Sequence, residues 1–219
     1  MRLLYAPQSP FARKVRAAAI ELGFAHRIDL EYAEVVPGRK NSTFADSINP
    51  LRKIPALVLD DGETVLVDST VICEYLDALA GGGIIIPSSG PDRWRVLSQH
   101  AVAQGMCEAV ILVRYETSLR PEPMRWPDWL DDQWDKIWSG LAWFESRAET
   151  AFGTSTSLKT SPEPLDISQL ALASCLGYVE FRYPEENWPA RFPRTAVWYR
   201  AVASRPSLAE TRPQDPPRK

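Results

Sequence analysis

The amino-acid sequence predicts an α/β domain followed by an all-helical domain. Two observations carry this prediction. Short apolar runs alternate with amphipathic helical patterns through the first eighty residues, and strand character disappears after a segment rich in glycine, proline and serine. We therefore expect a mixed sheet with helices packed on it in residues 1–80, a linker over 81–91, a helical domain over 92–211 and a disordered tail over 212–219.

The opening residues predict a strand followed by a helix. Leu3-Leu4-Tyr5 is a short apolar run, and a helical pattern extends from Val15 to Leu22. Ser9 is a favourable N-cap residue and Pro10 suits the first helical position, which places the helix start at Ser9. Free backbone N–H groups and the helix dipole favour an anion at this point, and a thiolate would be stabilised there.

The rest of the first domain has equally local signals. Residues 27–35 have strand composition, and residues 37–49 are polar, as in a loop with a short helix. Two apolar runs flank Asp60-Asp61-Gly62, which predicts a hairpin. Apolar residues at helical spacing then predict a helix over residues 69–79, capped by Asp68 or Ser69.

The second domain is predicted to be helical throughout. Helical periodicity covers residues 92–119, 128–152, 166–181 and 193–204. Asp166-Ile167-Ser168-Gln169 has the form of a capping box, with aspartate in the place of the usual hydroxyl residue. Residues 153–164 are rich in serine, threonine and proline and are predicted to form a mobile loop.

Composition narrows the classes of function. The formal net charge is −3, so the chain lacks the excess of positive charge that binding to nucleic acid or to an anionic membrane requires. We identify no signal peptide and no apolar run long enough to span a bilayer. Cys73, Cys107 and Cys175 are widely spaced and are expected to be buried free thiols, and His26 and His100 are too few for a histidine-rich metal site. We expect a cytoplasmic protein without a metal.

Pro55 is open to two interpretations. It stands at the first residue of a predicted strand, where an ordinary trans proline is tolerated. If the Ile54–Pro55 bond is cis, the backbone N–H and C=O of Ile54 would turn outward and could pair with an extended peptide.

The order of these motifs resembles the glutathione S-transferase family. The resemblance rests on Ser9-Pro10-Phe11, Asn49-Pro50-Leu51-Arg52-Lys53-Ile54-Pro55, Asp68-Ser69, the linker and the helical half with Trp198-Tyr199 and Arg205-Pro206-Ser207 near its end. It covers essentially the whole chain. It implies a thioredoxin-like first domain, a helical bundle as the second domain, glutathione as co-substrate and a homodimer.

The resemblance also implies roles for individual residues. Ser9 would donate a hydrogen bond to the glutathione sulfur and favour the thiolate. Ile54, turned outward by a cis bond to Pro55, would pair with the cysteinyl backbone, and Asp68 and Ser69 would bind the γ-glutamyl end. The remaining residues expected near glutathione are Phe11 and, for the glycyl carboxylate, Lys53, Arg52 and Lys40.

Two points stay open at this stage. Tyr5, near the end of the first strand, is the alternative for the thiol-activating hydroxyl, because some classes of the family use a tyrosine there. The pocket for the second substrate is expected at Phe11, Met106, Val110 and Tyr115, yet apolar residues at helical spacing usually fill a core. Trp126 and Trp129 belong to a dense run of tryptophans that could form a substrate wall or pack between helices.

The resulting functional hypothesis is transfer of glutathione to small hydrophobic electrophiles. A glutathione-dependent isomerase or reductase is the first alternative, although a thiol–disulfide reductase would need cysteine at position 9. The second alternative is a non-catalytic protein that keeps the fold and the binding site.

Overall fold

The computed structural model describes residues 1–39, 41–153 and 163–216. Its N-terminal part contains the strands β1 (Arg2–Tyr5), β2 (Asp29–Tyr32), β3 (Ala56–Val58) and β4 (Val65–Leu66). They form one sheet in the order β2-β1-β3-β4. β1 is parallel to β2, whereas β3 is antiparallel to both β1 and β4.

Helices cover both faces of this sheet. They are α1 (Pro10–Glu21), α2 (Ser42–Ser47) and α3 (Ser69–Leu79). Because successive strand residues point to opposite faces, Leu3 and Leu57 join the core shared with α1 and α3, whereas Leu4 and Val58 pack with Phe44 of α2. The predicted fold class, a small mixed sheet with helices followed by a helical domain, is confirmed.

The C-terminal part is helical where it is described. Its helices are α4 (Gly90–Ser118), α5 (Pro127–Ser146), α6 (Ala148–Phe152), α7 (Ile167–Arg182), α8 (Trp188–Arg191), α9 (Pro193–Val202) and α10 (Pro206–Ala209). The single helix predicted over residues 128–152 is instead divided at Arg147, whose φ of −115° and ψ of 19° leave the helical region. Most of the loop predicted over residues 153–164 lies outside the described residues.

Helix α4 differs from one expectation. By length and composition alone it is long and apolar enough to cross a membrane, although no such run was expected from the sequence. Half of its most apolar window is buried inside the protein, and α4 packs chiefly against α5 and α7. A helix that is apolar on more than one face is what the core of a helical domain requires.

Hydrogen bonds tie the linker to both parts of the chain. The Asp77 carboxylate at the end of α3 accepts the backbone N–H groups of Gly83, Ile84 and Ile85 at 2.7–3.0 Å. Ile85 C=O then accepts the N–H of Ile167 at 2.9 Å, at the start of α7. The linker therefore connects the last turn of α3 directly to the first turn of α7.

The capping box at the start of α7 has both of its hydrogen bonds. The Asp166 carboxylate accepts the N–H of Gln169 at 3.0 Å, and the Gln169 side chain accepts the N–H of Asp166 at 3.2 Å. Gln169 Nε2 also donates to Ala151 C=O at 3.0 Å, at the end of α6. Burial raises the pKa of the Asp166 carboxyl, because the charged form loses solvation.

Helix α1 is held against the helical part by two charged side chains. Arg13, only 3% exposed, donates to Ala173 C=O at 3.3 Å and to Leu208 C=O at 3.0 Å. Glu21 forms an ion pair with Arg205 at 2.7 Å. Buried charges are tolerated where they are hydrogen-bonded in this way. The two side chains fix opposite ends of α1 relative to α7 and α10.

Part of the expected tail is in contact with the N-terminal domain. Residues 212–216 have no regular secondary structure, but Gln214 N–H donates to Pro7 C=O at 3.4 Å. Asp215 pairs with Arg182, at the end of α7, at 2.8 Å. Within the tail predicted from residue 212, residues 212–216 thus include two tertiary contacts, and residues 217–219 lie outside the described part.

The close packing of Arg13 leads to a stability prediction. A Cβ added at Gly177 would lie 1.9 Å from Arg13 Nη1, so Gly177→Ala would displace the guanidinium from its carbonyl partners. We expect the free energy of unfolding to fall by about 1–3 kcal/mol, measured by urea denaturation.

Gly105 provides the matched control. It is also a helical glycine, but an added Cβ would meet nothing within 4 Å, and Gly105→Ala is expected to raise the free energy of unfolding by roughly 1 kcal/mol. Equal effects of the two substitutions would show that Arg13 does not constrain Gly177.

Candidate functional site

Ser9 occupies the N-cap of α1, as predicted. Its Oγ accepts the N–H of Ala12 at 3.2 Å, and its own N–H donates to Ala6 C=O at 3.0 Å. In this arrangement the hydroxyl oxygen serves as an acceptor, which leaves the hydroxyl proton available. Within the described residues the Ser9 hydroxyl donates to no other group. Ser9 can therefore cap its helix and at the same time donate a hydrogen bond to a ligand.

The alternative hydroxyl, that of Tyr5, lies in a different environment. The Tyr5 ring packs against the core, and the Arg16 guanidinium lies 5.2 Å from its centroid. Tyr5 C=O also accepts the N–H of Ala33 at the end of the β1–β2 pair. These contacts give Tyr5 a packing role in the first strand.

The loop before β3 presents an unused pair of backbone groups. The Ile54–Pro55 peptide bond is cis, and Pro55 is buried while Ile54 is half-buried. Neither the N–H nor the C=O of Ile54 makes a hydrogen bond within the part of the chain that the structure describes. Buried or half-buried backbone groups are normally paired, which marks Ile54 as a point where another extended chain can bind.

Asn49 organises this loop, a role that the sequence analysis did not assign. Its side chain accepts the N–H of Leu51 at 3.0 Å and donates to Lys53 C=O at 2.9 Å. Asn49 is 4% exposed. An Asn-Pro pair favours turn initiation and was the available signal. The loop thus reaches Ile54 in a conformation fixed by one buried amide.

The cationic residues of the loop lie on its surface. Arg52 and Lys53 are exposed, and Arg52 has a φ of +51°. This is the left-handed backbone conformation that glycine adopts most readily. Lys40, the third residue expected to meet a carboxylate, lies outside the described residues.

Asp68 caps α3 and keeps part of its carboxylate free. Its Oδ1 accepts the N–H groups of Thr70 at 2.9 Å and Val71 at 3.4 Å. Oδ2 of Asp68 makes no hydrogen bond to a described residue, and neither does the N–H of Ser69, which is 1% exposed. The start of α3 therefore offers one anionic oxygen next to one free N–H donor.

Strand register brings these three segments to the same end of the sheet. β1 ends before Ser9, and Leu4 of β1 pairs with Ala56, the first residue of β3. Leu57 of β3 pairs with Leu66, the last residue of β4. Because β3 is antiparallel to both neighbours, the end of β1, the start of β3 and the end of β4 share one edge. Ser9 follows the end of β1, Ile54 precedes the start of β3, and Asp68 follows the end of β4.

A cleft of about 780 Å³ lies at the end of α4, next to the loop after β2. Its lining includes Tyr115, Leu119, Trp126 and Trp129 from the helical part and Gly38 from the N-terminal part. Trp126 is 62% exposed, so an aromatic surface faces the cleft. The tryptophans of this run therefore fall into two groups. Trp126 and Trp129 line the cleft, whereas Trp134, Trp138 and Trp143 pack against the core.

The residues expected to bind a second substrate are also divided. Tyr115 lines the cleft, but Met106 and Val110 are 2% and 0% exposed and belong to the core. Met106 packs so closely on α5 that a Cβ at Gly140 would lie 2.6 Å from its sulfur. The expectation for Met106 and Val110 is therefore corrected, because α4 buries that face against α5 and α7. Phe11 is half-buried against the core.

One buried carboxylate holds the wall of the cleft. Glu116 is 6% exposed, and its carboxylate accepts hydrogen bonds from Arg120 Nε at 2.6 Å and from the backbone N–H of Trp126 at 3.0 Å. The hydrogen bond from Arg120 keeps the pKa of the Glu116 carboxyl below its usual value. Glu116 thereby links the end of α4 to the segment that carries Trp126.

The three thiols lie inside the fold. Cys73, Cys107 and Cys175 are buried free thiols, and burial raises the pKa of Cys73 to about 11. Among residues 1–39, 41–153 and 163–216, no group of three His, Cys, Asp or Glu side chains is arranged to hold a metal ion.

Comparison with known proteins agrees with this architecture. Residues 3–83 match the glutathione S-transferase N-terminal domain, and residues 127–201 match the C-terminal domain of the same family. A curated relative, the uncharacterized GST-like protein YibF of Escherichia coli K12, is 29% identical over 213 residues, which cover 97% of this chain and 98% of the relative.

Solved structures give the same result. A glutathione transferase family member from Pseudomonas fluorescens Pf-5, with bound glutathione, has a TM-score of 0.87 and 39% identity over 97% of this chain and 98% of that one. A glutathione S-transferase from Methylobacillus flagellatus KT, with glutathione bound, has a TM-score of 0.81 and 34% identity over 97% and 99% of the two chains. The chain belongs to the glutathione S-transferase family.

Proposed function

We propose that this protein binds glutathione at the edge of its sheet and stabilises the thiolate for attack on a small hydrophobic electrophile. The observation that carries the proposal is the shared position of Ser9, Ile54 and Asp68, each with hydrogen-bonding capacity left over from its structural role. Two relatives more than 30% identical were solved with bound glutathione, which supports the choice of ligand.

Ser9 acts in this proposal as a hydrogen-bond donor to the glutathione sulfur. A donor aimed at a sulfur atom favours the charged thiolate over the neutral thiol, and the N-terminus of α1 adds a favourable potential. Ser9 forms no covalent bond: the thiolate attacks the electrophilic carbon, and the leaving group departs with the electron pair of its bond. The role of Ser9 is to raise the population of the nucleophile.

The remaining groups bind and orient the tripeptide. Ile54 would pair its free N–H and C=O with the cysteinyl backbone, in the manner of an added strand. Asp68 Oδ2 would face the γ-glutamyl ammonium, and the N–H of Ser69 with its hydroxyl would face the neighbouring carboxylate. Exposed Lys53 and Arg52, together with Lys40, would meet the glycyl carboxylate.

The second substrate is assigned to the cleft beside α4. Its lining combines aromatic faces with apolar side chains at Tyr115, Leu119, Trp126 and Trp129, which fits an apolar or planar molecule. Transfer is favoured over thiol–disulfide reduction because position 9 holds serine, and Cys73, Cys107 and Cys175 are buried. Free thiols are typical of a reducing compartment, and we assign the protein to the cytoplasm.

Removal of the Ser9 hydroxyl tests the catalytic assignment. With Ser9→Ala we expect kcat/KM toward an electron-poor aromatic chloride to fall by roughly 10²-fold, as when a single charge-stabilising donor is deleted. The dissociation constant of glutathione, measured by calorimetry, should change little, because the tripeptide is bound mainly by other groups.

Two further variants separate the hydroxyl from its surroundings. Ser9→Thr keeps both the N-cap and the donor and should retain most of the activity. Tyr5→Phe removes the alternative hydroxyl and should leave activity intact. Full activity in Ser9→Ala together with loss in Tyr5→Phe would assign the role to Tyr5 instead.

We also propose that the protein is a homodimer through the outer faces of α3 and α4. Val71 of α3 and Trp94 of α4 are 44% and 67% exposed, and an ion pair between Glu74 and Arg93 joins the same two helices at 3.3 Å. Exposed apolar patches rimmed by charge are typical of interfaces, and two-fold closure is the commonest assembly.

Light scattering tests this assembly. The mass in solution should be twice the chain mass of 24.6 kDa, and Trp94→Glu should shift the population toward the monomer by introducing a charge into the interface. A monomeric wild-type protein at micromolar concentration would contradict the proposed dimer.

A further inference from the structure

Lys14 of α1 is a lysine enclosed by three helices. Its side chain lies inside the protein, with the whole residue only 1% exposed. The ammonium donates to Gln104 Oε1 at 3.0 Å and to Thr70 Oγ1 at 3.4 Å, and it lies 2.9 Å from His100 Nε2. Thr70 belongs to α3, whereas His100 and Gln104 belong to α4.

The partners of this ammonium are neutral. No carboxylate among the described residues lies within 4.0 Å of Lys14 Nζ. Burial lowers the pKa of Lys14. Burial and the adjacent ammonium lower the pKa of His100 to about 3, so the imidazole is neutral and accepts at Nε2. Four other ionisable groups oppose this effect of burial on the pKa of Lys14, namely Asp68, Cys73, Cys107 and Glu108.

This charge lies under the first turn of α3. Thr70, which touches Lys14, is the second residue of α3, and Asp68 caps the same turn. A helix N-terminus carries a partial positive charge of its own. Two positive ends therefore meet at this turn, with the Asp68 carboxylate as the nearby anion. A second anion at the free N–H of Ser69 would be stabilised by both.

We propose that Lys14 is a positioning residue for the α-carboxylate of the γ-glutamyl group of glutathione. Lys14 acts from behind α3: it does not touch the ligand, but its charge and its contact with Thr70 favour a carboxylate at the start of that helix. Asp68 holds the neighbouring ammonium on the solvent side. This inference rests on the proposed glutathione site and specifies which ligand group the buried cation serves.

Lys14→Met tests the charge while it preserves most of the side-chain volume. In the intact protein we expect calorimetry to show weaker binding of glutathione, with a dissociation constant about tenfold higher than in the wild type. The discriminating ligand is a glutathione analogue in which hydrogen replaces the α-carboxylate of the γ-glutamyl residue. Its affinity should change less than about twofold between wild type and Lys14→Met.

Gln104→Glu tests the same charge without removing the lysine. A carboxylate at this position would lie at hydrogen-bond distance from Lys14 Nζ and neutralise it internally. The same selective loss is expected: weaker binding of glutathione and unchanged binding of the analogue. Lys136→Met is the matched control, because it removes one positive charge from an exposed site paired with Asp132 on α5, and both ligands should bind as to wild type.

The outcomes are separable. Equal loss for both ligands would give Lys14 a purely structural role and overturn the inference, as would unchanged glutathione binding in both variants. If Lys14→Met does not fold, the Gln104→Glu titration decides alone. If the wild-type protein binds neither ligand, the proposed function fails and this inference fails with it. If the wild-type protein binds glutathione but the variants do not show the selective loss, the role of Lys14 is overturned and the proposed function still stands.

Discussion

The position of the candidate site depends on how α1 is anchored. This helix belongs to the N-terminal domain, yet it packs against α3 on one side and against α7 and α10 on the other. Arg13 crosses into the helical domain to reach two backbone carbonyls, and Glu21 binds Arg205. Since Ser9 is the N-cap of the same helix, its hydroxyl is fixed relative to both domains. Loss of this anchoring would shift the Ser9 hydroxyl relative to the helical domain.

The candidate site also contains residues whose structural role uses only part of their hydrogen-bonding capacity. Ser9 Oγ accepts a helix N–H but keeps its proton, and Asp68 caps α3 through Oδ1 but keeps Oδ2. The Asn49 side chain bonds the Leu51 N–H and the Lys53 C=O in the loop before Ile54, and the Ile54 N–H and C=O stay unpaired among the described residues. In each case the fold uses part of the hydrogen-bonding capacity, and the residue that keeps the remainder lies at the same edge of the sheet.

Local signals were sufficient for most of the fold and for part of the site. Ser9-Pro10 and Asp68 predict helix starts that the structure contains, because capping is decided by neighbouring residues. Long-range packing could not be predicted in this way. Met106 and Val110 were expected in a pocket because the family resemblance places one along the long helix after the linker, and sequence spacing does not tell which face of that helix meets α5.

The same limit applies to the buried charges. Arg13 and Lys14 stand in a polar stretch that would ordinarily face solvent, and their partners lie far along the chain, at Leu208 and His100. The contact of Gln214 with Pro7 is another case, since nothing local marks residues 212–216 as held. These features depend on which helices pack on α1, and that is a property of the whole fold.

The proposed function requires that the edge of the sheet at Ser9 stabilise a glutathione thiolate. The most direct test is an ultraviolet titration of glutathione bound to the wild-type protein, in which thiolate absorbance is followed as the pH rises. We expect the bound thiol to ionise at a lower pH than free glutathione, because Ser9 and the start of α1 favour the anion. Ionisation at the same pH as free glutathione, or at a higher pH, would contradict it.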